Sequence, residues 1–153
     1  MTDEHQREPA AEAQEQVVVK PAESASLPSS DPLLETIVHL VTTVDFNISV
    51  TLMVGGAQIS GQLIGGRHYF EGLGKQWLEG FTKVGAPNPE METIWRRIGE
   101  ERYGKDAPRP KRYAHIHLKD AAVVLGDGQV FRHQWWRGRL AKGDGWAMGA
   151  PEI

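Results

Sequence analysis

The chain has 153 residues and a mass of 17.0 kDa, room for one domain with at most one appended tail. It contains no cysteine, which excludes a disulfide framework, a cysteine-ligated zinc or iron–sulfur centre and thiol catalysis. No apolar run exceeds Ala121–Leu125 and the start, MTDEHQREPA, has no secretory pattern; a net charge of −3 carries no global nucleic-acid signature, so the chain reads as soluble and cytosolic.

Residues 1–31 hold no glycine and no aromatic residue. Asp3, Glu4, Glu8, Glu12, Glu15, Glu23 and Asp31 face only Arg7 and Lys20, a net of −5. Such a segment buries too little apolar surface to offset its ordering entropy. It is expected to be a disordered acidic tail, followed by one domain over 32–153. That body holds all five Trp and all 17 Gly, with 15 bases against 13 acids.

Asp31-Pro32 reads as a helix cap followed by proline at the first helical position. Leu33, Leu34, Ile37, Val38, Val41 and Val44 recur at helical spacing up to about Asp45. The period then switches to two, with Ile48, Val50, Leu52 and Val54 on one face of a strand. Gly55-Gly56 supplies a tight turn, and Ala57, Ile59, Gly61 and Leu63 return, with Gly61 marking a bend or bulge. Tyr69, Leu73, Trp77, Phe81 and Val84 predict a helix over 69–84, weakened by Gly72, Gly74 and Gly80. Asn88-Pro89 opens another helix carrying Met91, Ile94, Trp95 and Ile98, stopped by Gly99 or Gly104. A proline-broken connector follows over 107–111. Strands are then predicted from Tyr113, over 130–141 and over 146–148, separated by Gly-Asp-Gly turns. The fold class is α+β: a small antiparallel barrel of about five strands with an N-terminal helix and a helical insertion.

His115 and His117 lie two apart on a strand, so their rings share a face at roughly 7 Å. A zinc site needs a third ligand. His68, His133 or Asp120 would serve only if the fold delivered one, so the pair reads as an exposed polar face. Ser60 lacks the glycine pattern of a nucleophile elbow, Gly74-Lys75 lacks the rest of a phosphate loop, and Glu100-Glu101 sit among arginines as a solvated face. No catalytic, metal or cofactor site is expected. Two basic segments stand out instead. Arg102–Arg112 and Phe131–Lys142 each carry a net of +4, and the acidic tail can pair with either, within its own chain or a neighbour. The second segment interleaves Arg137 and Arg139 with Trp135 and Trp136. With Trp146 these form a candidate protein-interaction set, because Trp and Arg dominate contact hot spots; single-stranded nucleic acid is the weaker alternative.

The run Asp45–Gly61 ending in Tyr69-Phe70, the segment His115–Ala121, and Trp136–Ala141 with Asp144-Gly145-Trp146 resemble, in order, the gas vesicle accessory protein U family (GvpU). The likeness covers about residues 33–149. It implies a non-enzymatic, cytoplasmic accessory protein of gas vesicles, the hollow protein shells that give some microbes buoyancy. Members are thought to help vesicles form, mature or cluster through multivalent protein contacts. The implied partners are the vesicle shell, other accessory proteins or a second copy, with no cofactor and no membrane. The first hairpin also resembles an Sm-like strand pair over about twenty residues, which supports the barrel and names the alternative function, a ring-forming RNA binder.

Overall fold

The structure is a computed structural model, described for residues 30–151. All of the expected tail except Ser30 and Asp31 lies outside the described residues. In chain order the elements are α1 (Pro32–Val44), β1 (Ile48–Val54), β2 (Ala57–Ile64), α2 (Gly66–Lys83), α3 (Pro89–Tyr103), β3 (His115–Val124), β4 (Val130–Arg139), a 3₁₀ turn (Leu140–Lys142) and β5 (Gly145–Met148).

Asp31 belongs to the folded body. Its Oδ1 accepts from the backbone N–H of Leu33 at 2.8 Å and of Leu34 at 3.4 Å, which satisfies donors that a helix start leaves unpaired. Leu34, Val38 and Val41 form the buried stripe of α1. The helix ends where Asp45 takes a left-handed conformation with φ 62°.

The strands form one antiparallel sheet in the order β4-β3-β2-β1-β5. One face packs on α1 through Val50, Leu52, Ile59, Leu63, Ile116 and Leu118, all buried. The α2–α3 hairpin covers the other face. Neighbouring residues on a strand point to opposite faces, and while Leu118 joins the α1 core, His117 meets Tyr69 and Phe70 of α2 and Tyr103 of α3. The bend expected at Gly61 is a bulge: Ser60 pairs with Ala122 and Gln62 with Lys119. The extra residue therefore lies on β3, at Asp120–Ala121, and Asp120 adopts φ 51°. Glycine eases the close approach opposite, since a Cβ at 61 would stand 3.0 Å from the Lys119 carbonyl oxygen.

The sheet is strongly curled but open. β4 and β5 occupy opposite edges, yet only residues 140–144 join them. Flat edges would stand about 19 Å apart at four strand spacings. A link with one 3₁₀ turn reaches only about 16 Å. The α+β class and the five antiparallel strands are as expected from sequence, but the small barrel is an open, curled sheet, because the four residues of β5 pair with β1 and none, among the described residues, pairs with the ten-residue β4. Several boundaries also move by one to three residues. α2 begins at Gly66, three residues before the predicted start, and the predicted long strand ends at Arg139 in the 3₁₀ turn.

Candidate functional site

The histidine pair is not the exposed polar face that its alternation predicts. His117 is 2% exposed, beneath the helical hairpin. Its ring lies 4.8 Å from that of Tyr69 and 5.3 Å from that of Tyr103, centroid to centroid. Arg137, its register partner on β4, donates from Nε to His117 Nε2 at 3.2 Å and sets its guanidinium 5.7 Å from the Phe70 ring centroid. A guanidinium only donates, so Nε2 is the unprotonated nitrogen and the ring is neutral. Burial, Arg137 and His115 together hold the His117 pKa down to about 3. That nitrogen is committed to Arg137. Among the described residues no three His, Asp or Glu side chains gather as a metal would require.

The five candidate contact residues divide between the two faces. Trp135 lies against α2 so closely that a Cβ at Gly72 would fall 2.0 Å from its ring. Its Nε1 is buried without a hydrogen-bond partner among the described residues, and Lys119 Nζ stands 5.9 Å from its centroid. Trp136 faces the other way, into the α1 core. Trp146 packs at the edge of that core and donates through Nε1 to Asp31 Oδ2 at 3.2 Å. Arg137 is half-buried over His117, and Arg139 is exposed. The structure thus brings Trp135 and Arg137 together beneath α2 and keeps Trp136 and Trp146 apart from them.

Two features went unread in the sequence. One is an aromatic file along the hairpin: Tyr103, Phe70, Trp95, Trp77 and Phe81 follow one another with centroids 5.6–6.1 Å apart. It begins beside His117 and emerges at the hairpin tip, where Trp77 is 40% exposed and Val84 76%. The helical stripe predicted over 69–84 contained Trp77, Phe81 and Val84 but not Phe70, Trp95 or Tyr103, and periodicity alone assigns a stripe to the core. The other is a pair of clefts flanking the start of α2. The larger, about 580 Å³, is lined by Lys75, Lys119, Glu71, His68 and Trp135 among others. The smaller, about 200 Å³, lies between the end of α1, the start of α2 and the connector after α3. Asp45 stands between them, paired with His68 and 3.9 Å from Arg67. The His68 bond, then the Arg67 charge, lowers the pKa of Asp45.

These features define an α+β protein of one curled antiparallel sheet held between a single helix and a helical hairpin. The family model described as gas vesicle protein GvpU-like matches residues 31–151. The chain belongs to that family and is a gas-vesicle-associated protein; the family is not an enzyme family. No curated protein and no solved structure matches the chain. No helix among the described residues is long and apolar enough to cross a membrane.

Proposed function

We propose that the protein is a non-enzymatic accessory factor that assists the formation, maturation or clustering of gas vesicles through multivalent protein contacts. The family match over 31–151 carries this reading. The partner is the vesicle shell or another accessory protein, with self-association adding valency. Weak contacts gain from effective concentration when many copies sit on one particle. Of the candidate contact residues, Arg139 supports a surface role through its exposure, and the hairpin tip at Trp77 and Val84 adds apolar area. Co-sedimentation with purified vesicles tests the proposal. Retention that survives competing bulk protein supports it, and a protein left wholly in the supernatant refutes it.

A second reading is favoured by the element order. A short helix followed by five antiparallel strands, interrupted by the α2–α3 hairpin, is consistent with an Sm-like sheet carrying a helical insertion. That reading makes the protein a ring-forming RNA binder. It requires submicromolar, length-dependent affinity for oligoribonucleotides that falls steeply with salt. We expect no such affinity at physiological salt.

A further inference from the structure

We propose that the 200 Å³ cleft is the docking site of this chain's own N-terminal acidic segment, which folds back along α1 and seats the carboxylate of Glu23 among Arg67, Lys105 and Arg109. The cleft is lined by Val41, Thr42 and Asp45 of the α1 end, by Gly65 and Arg67, and by Lys105 and Arg109. Among the described residues Asp45 is the one acid that lines it. Arg67 is held only loosely, at 3.9 Å from Asp45 and 3.7 Å from Glu100. Lys105 and Arg109 are exposed, and neither forms an ion pair with a carboxylate among the described residues. Among the described residues, Arg67, Lys105 and Arg109 thus outnumber the two nearby carboxylates, Asp45 in the cleft and Glu100 beside Arg67.

The route to the cleft is also basic. Arg112 reaches Glu35 on the first turn of α1 at 2.9 Å, and Ser30 bonds the same carboxylate. The connector from Lys105 to Arg112 therefore runs beside α1, from its end back to its start. The chain leaves the described structure at Ser30, at the Arg112 end of this track. From Asp31 to Val41 the helix rises about 15 Å. Glu23 stands seven residues before Ser30, an extended reach of about 24 Å, so its side chain attains the cleft with slack. The whole segment opposes the track in charge, since Asp3, Glu4, Glu8, Glu12, Glu15 and Glu23 outnumber Arg7 and Lys20. The basic strand β4 is the competing destination, but Arg137 there is already engaged by His117 and Phe70.

The absence of cysteine makes the test direct. Ser24→Cys in the full chain takes a single nitroxide, and relaxation of the backbone amides by it is read by NMR. At low salt the signals of Gly65, Gly66 and Lys105 are expected to lose at least half their intensity. They should recover near 1 M salt, where charges are screened within about 3 Å. Arg67→Glu with Arg109→Glu should abolish the broadening; Lys105→Glu, at an exposed position, serves if the double variant fails to fold. Broadening centred on β4, even broadening over the whole domain, or broadening seen only between spin-labelled and isotope-labelled copies in a mixture would each overturn the proposal. Vesicle binding does not enter the assay, so its result stands apart from the accessory-factor reading.

Discussion

Acidification below pH 6.5 should strip stability from this fold through His117. The ring is neutral and buried in the folded state, with Nε2 accepting from Arg137. Its pKa is about 3 in the fold against 6.5 ordinarily, so below pH 6.5 the unfolded chain binds the extra proton. The stabilisation is complete above pH 6.5 and declines as pH falls, until about pH 3. Each pH unit in that window is worth about 1.4 kcal/mol, so moving from pH 6.5 to 5 removes about 2 kcal/mol. His115, whose pKa is lowered by burial and then by Arg137 and Arg139, acts in the same direction. The lowered carboxylates Asp31, Glu35 and Asp45 start from ordinary values of 3.8 to 4.5 and enter mainly at lower pH. Urea unfolding of the wild type and of His117→Gln across pH 5–7.5 isolates the effect, because glutamine keeps an acceptor for Arg137 and does not protonate. The variant should be the flatter of the two by about 2 kcal/mol between pH 6.5 and 5. Equal slopes, or a His117 ring that titrates near 6.5 by NMR, would refute the buried-neutral assignment.

Two glycines of one helix should respond oppositely to alanine. Gly72→Ala drives a methyl into the Trp135 ring and should cost about 1–3 kcal/mol in chemical unfolding, with altered Trp fluorescence. Gly80, with nothing within 4 Å of an added Cβ, should gain up to about 1 kcal/mol from helix propensity. Arg139→Glu, at an exposed position, should reduce vesicle retention while changing unfolding by no more than about 0.5 kcal/mol. Trp136→Ala, by contrast, should destabilise by about 3 kcal/mol through loss of core packing.

The elements themselves were legible in the sequence because their signals are local. Asp31-Pro32 caps α1, Gly55-Gly56 turns β1 into β2, and alternating Ile48, Val50, Leu52 and Val54 have one face to bury. The family resemblance was legible for a related reason: motifs in order survive without knowledge of their contacts. The candidate contact set was only partly so. Adjacent Trp135 and Trp136 look like one aromatic patch, yet the strand's period of two sends one beneath α2 and the other into the α1 core. His117 looked polar-side and exposed because alternation marks two faces without saying which is covered. The helical hairpin inserted between β2 and β3 covers its face, and that packing makes a buried, neutral acceptor for Arg137. Helix, strand and turn identity were thus determined by sequence alone, through spacing and capping. Sheet closure, the burial of His117 and the cleft joining Arg67 to Arg109 were decided only in three dimensions, because each depends on surfaces far apart in the chain meeting.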